Sequence, residues 1–446
     1  MDFLKWLLIA ALAALTHADY WLNDITHRNG VTDDTAAINA AISAGSRCGL
    51  GCDSTTVTPA IIYFPPGTYL ISSPLLQYYY TQMIGDANSL PILKASSSFS
   101  GIALIDADPY TSGGVNWFTN QNNFFRQVRN FVIDLTGLAL TTGTGIHWQV
   151  SQATSLQNIY FKMIVGGTGN AQQGIFMENG SGGFFSNLTF TGGNIGMAIG
   201  NQQFTTRSLV FNNINTAVLM IWDWGWTFKG LTINNCGVGI NTAAGTASAE
   251  NIGSAIILDS TFTNVNVGIT TFYSSSSMPI GAGALRIDNV DFVNTPIAVS
   301  SSGSTVLAGN QLVSAWSQGY VYTAPSTASR SQGVVAAISK PASLLSGTNI
   351  FQRNKPQYES YSSSQILSAK ANGCAGDGVT DDTAAIQALL NSATSSQVVF
   401  FDHGAYLVSS TITVPANIKI TGEIWPIILA KGTAFQNAAA PVPVWK

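Results

Sequence analysis

Trp222, Trp224 and Trp226 alternate along the segment IWDWGWTFKG. On an extended strand alternate residues share a face, and a row of exposed indoles makes a platform for the apolar faces of sugar rings. The same spacing also suits packing in a core or at a corner. Trp148 and the run Tyr78, Tyr79 and Tyr80 carry the same two readings, and Gln149 is a candidate for touching substrate. Glu178 is one of few glutamates in the chain and is a candidate for touching substrate or replacing a catalytic acid. Hydrolysis of a glycosidic bond needs an acid for the leaving oxygen and a group that activates or orients the attacking water. His147 reads as a satisfied strand residue rather than a ligand. No group of His, Asp and Glu has metal-ligand spacing, so neither a metal nor a cofactor is expected.

The composition fits an uncharged partner. Only 9% of the 446 residues are charged, while 46% are hydrophobic. Net charge is −4 and no basic stripe is present, which argues against nucleic acid. Residues 1–18 read as a signal peptide: Lys5, an apolar run from Trp6 to Leu15, and the small-residue site Thr16-His17-Ala18. That run is too short to span a bilayer. A secreted, extracellular monomer with no membrane partner is expected. Cys48 and Cys52, in RCGLGCD, are placed to close a small disulfide in an oxidising compartment. Cys236 and Cys374 have no evident local partner. Asn179 and Asn187 begin formal glycosylation sequons.

The candidate residues lie in a repeat. Segments such as RNFVID, LQNIYF, FSNLTF, TRSLVF, FKGLTI, LDSTFT and IDNVDF carry a marker residue at 130, 158, 187, 208, 230, 260 and 289. A second short segment follows each, among them GIHW, GIFM, GMAI and GVGI. Coils of two or three strands with glycine corners, stacked about 4.8 Å apart, would bury one continuous core. The expected fold is all-β: a right-handed parallel β-helix. A β-sandwich would instead show regularly spaced hairpin turns.

A second, longer repeat frames the first. NGVTDDTAAINAA (29–41) returns as DGVTDDTAAIQAL (377–389), and IIYFPPGTYLISS (61–73) as VVFFDHGAYLVSS (398–410). Thr32 or Asp33, and Thr380 or Asp381, would cap an amphipathic helix that plugs an open solenoid end. The organisation expected is a signal peptide at 1–18, a first β-helix at 19–324 and a Ser-rich linker at 325–371. The incomplete start of a second β-helix follows at 372–446.

The cap motifs resemble those of the pectate-lyase-like superfamily. The series NNFFRQVRNFVID, GIHWQVSQATSLQNI, QGIFMENGSGGF, GNQQFTTRSLVF and IWDWGWTFKGLTINNC resembles fungal glycoside hydrolase family 55, the exo-acting β-1,3-glucanases. The resemblance covers residues 29–320 and restarts at 372. It implies an inverting hydrolase that releases glucose from β-1,3-glucan, with water held partly by a Gln and a Ser. The matching positions are Gln152 and Ser181, 29 residues apart like Asn158 and Asn187. Gln and Ser are also ordinary ladder residues. The family's acid is a glutamate on a second helix beyond the part represented here, so a glucan-binding or inactive remnant is the alternative. A glycan on Asn179 would crowd this site. A pectin-active enzyme would need an acidic calcium cluster with a basic catalytic residue, or an Asp-pair and His signature. Neither is visible.

Overall fold

The protein is described by a computed structural model covering residues 19–21, 27–246, 248–323 and 327–446. The signal peptide expected at 1–18 lies outside the described residues. Two compact units are present, Asp19–Lys355 and, among the described residues, Pro356–Lys446.

The first unit is a parallel β-helix. Strands Arg126–Asp134, Thr154–Lys162 and Phe184–Thr191 lie side by side in parallel register, followed by parts of Ile195–Asn212 and Thr216–Asn234. A second ladder joins Ile105–Asp106, Thr144–His147, Gln173–Met177 and the first residues of Ile195–Asn212. Inward residues stack on their equivalents. Phe161, Phe190 and Phe211 are register partners with rings 4.6 and 4.8 Å apart, which is the spacing of neighbouring strands. This ladder explains the glycines that open the short segments. A Cβ on Gly174 or Gly196 would meet a phenylalanine ring of the same coil at 2.6 or 2.7 Å.

One left-handed residue bends each long strand. These are Asn130, Asn158, Asn187, Ser208, Gly230, Asp259 and Asn289, with φ between 47° and 67°. The marker in the sixth coil is therefore Asp259 rather than residue 260. The corners are mostly asparagine rather than glycine, because asparagine tolerates this region and its amide can bond along the stack. Asn187 Nδ2 donates to Asn158 Oδ1, and Asn158 Nδ2 to Asn130 Oδ1, each at 2.9 Å. The sequon at Asn187 thus places its acceptor nitrogen inside this ladder.

The far end of the stack closes by antiparallel pairing. Leu312–Thr323 pairs with Ala284–Val293 on one side and Thr327–Val334 on the other. Part of the segment expected as linker, Thr327–Val334, is therefore a strand, which pairs along the edge that Leu312–Thr323 leaves open. Residues 340–354 then run back along the corners. Lys340 Nζ reaches Asp288 at 2.6 Å, and Ile350 N–H donates to Asp259 at 2.9 Å. Further along, Gln352 Nε2 donates to Ser208 at 3.1 Å, and Ser186 Oγ donates to Asn354 at 2.7 Å.

Both caps form as the repeat implies. Helix α1 is Thr35–Ser43 and helix α2 is Thr383–Ser392. Asp33 and Asp381 each accept the N–H of the threonine two residues on at 3.0 Å. The N-cap positions are Asp34 and Asp382, one residue after the expected Asp33 and Asp381 and two after Thr32 and Thr380, and neither makes a side-chain capping bond. The second unit adds two parallel three-stranded sheets around Ile386, Leu390, Val399 and Tyr406. Cys48 and Cys52 form a disulfide, whereas Cys236 and Cys374 are buried free thiols. Among the described residues no helix is long and apolar enough to cross a membrane.

Candidate functional site

Strand alternation sorts the segment after Gly145. Ile146, Trp148 and Val150 belong to the core, all 0% exposed. His147 and Gln149 alternate with them and carry the polar chemistry of the opposite face. In the next coil Phe176 pairs with His147, and Val150 bridges to Gly180. That register brings Gln149 beside Glu178 and Gln152 beside Ser181.

Gln152 and Ser181 do meet: Ser181 Oγ lies 3.1 Å from Gln152 Oε1 and 2.9 Å from Ser151 Oγ. Ser181 is buried and Gln152 exposed, so the pair sits at the surface with one side backed by protein. The turn Asn120–Asn122 supplies that backing. The carbonyl of Gln121 lies 3.2 Å from Ser181 Oγ, and its side-chain amide donates to Asn179 at 3.1 Å. A glycan on Asn179 would compete for this contact.

Beside the pair is a chain of ionisable groups. His147 Nδ1 is 2.7 Å from Asp106 Oδ1, and His147 Nε2 is 3.1 Å from both oxygens of Glu178. Both neighbours are acceptors when ionised, so both ring nitrogens must donate. Burial disfavours the charged imidazole. The hydrogen bonds and charges of Asp106 and Glu178 outweigh it and push the pKa up to about 9. Burial likewise opposes ionisation of Glu178, but His147 and Tyr110 prevail and hold that carboxyl below its ordinary range. Glu178 also accepts from Gln149 at 3.0 Å and from the Tyr110 hydroxyl. The His147 ring is stacked between Tyr110 and Phe176, with centroids 5.7 Å away on each side.

The aromatic candidates separate. Trp224 is 62% exposed, and Trp222 is half-buried with its indole N–H donating to the Glu178 carbonyl at 2.7 Å. Trp226 is 1% exposed and stacks on Phe204 at 4.8 Å. The shared face expected for the three is thus broken. Trp224 points to solvent while Trp226 turns inward onto Phe204, although the pairing from Trp222 to Trp226 keeps one register. Trp148 cannot line a binding surface either, because alternation sends it into the core. Gln149 is 1% exposed and donates to the Tyr110 hydroxyl at 2.6 Å and to Glu178 at 3.0 Å. Tyr79 and Tyr80 are buried as well.

Asp106, Tyr110 and Gln121 were not singled out from the sequence. Asp106 pairs in register with His147 across 41 residues, because the loop from 108 to 125 interrupts the coil spacing. Gln149 and Glu178, in contrast, are 29 residues apart, the same interval as Gln152 and Ser181. That signal was available. Among the described residues no group of three His, Cys, Asp or Glu could hold a metal ion.

Behind the site, Asp223 is buried, and one of its oxygens accepts from Gly253 N–H at 2.7 Å. Its other oxygen, and Oδ1 of its register partner Asn201, have no hydrogen-bond partner among the described residues. Burial pushes the Asp223 pKa up to about 7 against bonds from Gly253 and Ser254. Protonation removes the charge that burial penalises at Asp223. The neutral acid is the form the fold favours. Its contribution is fully present below the unfolded value near 4 and is lost as pH rises through about 7. Asp108, also raised to about 7 by burial, adds a slope of the same sign. Asp223→Asn is therefore expected to reduce the stability lost between pH 4 and 8, read by urea denaturation across that range.

Comparison with known proteins places these features. A family model described as rhamnogalacturonase A/epimerase, pectate lyase-like, matches residues 26–241 and 366–441. The chain is 46% identical, over 93% of its length, to a probable glucan endo-1,3-beta-glucosidase of Arthroderma benhamiae, of which it covers 58%. It is 43% identical, over 98% of its length, to a glucan 1,3-beta-glucosidase of Cochliobolus carbonum, of which it covers 59%. A non-secreted LysM effector of Penicillium expansum is 42% identical over 93% of the chain, which covers 34% of that protein. The chain thus spans a little over half the length of the two glucosidase-named relatives.

Proposed function

This chain belongs to the rhamnogalacturonase A/epimerase, pectate lyase-like family, and from that membership we propose that it acts on β-1,3-glucan as a glycoside hydrolase of the family 55 type. Relatives carrying glucan 1,3-beta-glucosidase names align along almost all of it. The observation that carries the reading is the contact between Gln152 and Ser181, which come from neighbouring coils and lie 3.1 Å apart at the surface. Such a pair can hold one water by its two polar ends against the anomeric carbon. Trp222 and Trp224 lie along the same ladder of coils and offer indole faces to the sugar rings.

The charge of this face favours a neutral polymer over a pectic one. Asp106 and Glu178 outnumber the imidazolium between them, and Arg126 behind them is 0% exposed. A polyuronate would meet net negative charge here. The proton for the leaving oxygen does not come from this face, since Glu178 is held ionised. A second reading, binding without turnover, is favoured by the same observation. Secretion into an oxidising compartment fits the Cys48–Cys52 disulfide.

The test is to incubate the chain with laminarin and, in parallel, with polygalacturonate. Glucose from laminarin alone is the expected result. Laminarin binding without glucose selects the second reading. Turnover of polygalacturonate, or no interaction with laminarin, removes the glucan assignment.

A further inference from the structure

Glu178 carries more than a buried ion pair needs. Asp106 and His147 have side chains 4% and 0% exposed, whereas the Glu178 side chain is 23% exposed. The cluster is a line of charge running from the core to the surface. Of the four acceptor positions on a carboxylate, His147 approaches between the two oxygens, and Gln149 and Tyr110 both bond Oε1. Oε2 accepts from His147 alone among the described residues, which leaves it room for one more donor.

The neighbouring coil explains what that donor meets. Gly200 has no side chain beside Glu178, and a Cβ there would meet the Trp222 ring at 2.5 Å. The missing side chain lets the indole lie across Gly200, its N–H on the Glu178 carbonyl at 2.7 Å. The indole is thus tied to the backbone of the same residue whose ionised carboxylate keeps a spare lone pair at the surface. Pyranoses fit that combination: the C–H face packs on the ring and a hydroxyl donates to the carboxylate.

We propose that Glu178 is a substrate-contacting residue whose Oε2 accepts a hydroxyl of a glucosyl unit laid against Trp222, and that His147 and Asp106 are positioning residues that aim it. This rests on the glucan reading above. The imidazolium occupies the space between the oxygens and fixes the carboxylate plane. Asp106 fixes the imidazole, and Tyr110 with Gln149 saturates the oxygen that does not face substrate. Retaining a buried ion chain is costly unless it specifies a geometry. The titratable groups facing His147 are Asp106, Asp108, Tyr110 and Glu178.

The experiment measures laminarihexaose affinity by calorimetry for wild type, Glu178→Gln and His147→Gln from pH 5 to 10, with a melting temperature at each pH. Wild type should bind with constant affinity to about pH 8 and lose affinity as His147 loses its proton near pH 9. Glu178→Gln should bind at least tenfold more weakly at pH 6. His147→Gln should bind weakly at every pH, without the alkaline loss. A Glu178→Gln protein that melts lower but binds as wild type makes the cluster structural and overturns the proposal, with the glucan reading intact. Wild type that binds no laminarihexaose overturns both. A Glu178→Gln protein too unstable to assay is replaced by Glu178→Asp. That variant keeps the charge but withdraws the oxygen, so it must also lose tenfold, and wild-type affinity would again overturn the proposal.

Discussion

Asp259→Ala is expected to lower the stability of the first unit by about 3–5 kcal/mol, the range for breaking a buried ion pair from one side. The Asp259 side chain is 1% exposed, 3.1 Å from Lys229 and 3.9 Å from Lys340. It also accepts from Asn289 Nδ2 at 2.7 Å and from Ile350 N–H at 2.9 Å. Truncation leaves the Lys229 ammonium, itself 11% exposed, without its carboxylate. It also releases residues 340–354 from the corner where they cross the stack. In a solenoid each coil otherwise touches only its neighbours, so a segment bonded to several coils joins their unfolding into one transition. Asp259→Asn keeps a residue suited to φ 47° and an acceptor for Ile350, and should lose less. Urea denaturation of the two variants separates charge from backbone. Equal, small losses would mean that the returning segment adds no cooperativity.

The second large effect is on chemistry. Gln152→Ala and Ser181→Ala should each slow glucose release from laminarin by about 10²-fold or more, the usual size for a group that manages the attacking water. The double variant should be little worse than either single one, because the two act on one water. Affinity for laminarin should stay within about threefold, since ring stacking and the Glu178 contact are untouched. Stability should hardly change. Gln152 is exposed, and Ser151 Oγ keeps its bond to the Asn120 carbonyl at 2.8 Å when the Ser181 hydroxyl is removed. Turnover that survives both substitutions would move the water elsewhere.

The stack was legible because its signals are periodic. Residues such as Asn158 and Asn187 recur at the bend of each coil, glycines recur where a phenylalanine of the same coil takes the space of a Cβ, and inward residues alternate. The pairing of Gln152 with Ser181 followed from one interval. What failed was local. Alternation predicts a shared face for Trp222, Trp224 and Trp226 only while the strand stays straight, and Trp226 instead stacks on Phe204 in the core. Trp148 was open to both readings until its phase against Ile146 and Val150 decided it. Asp106 and Tyr110 were invisible because an insertion between coils breaks the spacing, and contact across such a loop has no periodic trace. Part of the Ser-rich segment read as linker pairs with the antiparallel strand Leu312–Thr323, since composition reports flexibility but not an unpaired edge nearby.

The central claim is that one face of the first β-helix, spanning neighbouring coils, receives β-1,3-glucan. Hydrogen exchange of the whole chain with and without laminarihexaose tests it most directly. Slowed exchange should appear together in segments 147–152, 178–182 and 200–204, which are remote in sequence and adjacent in the stack, with the second ladder's far coils unchanged. Slowing confined to other coils, or none at saturating ligand, would contradict the account.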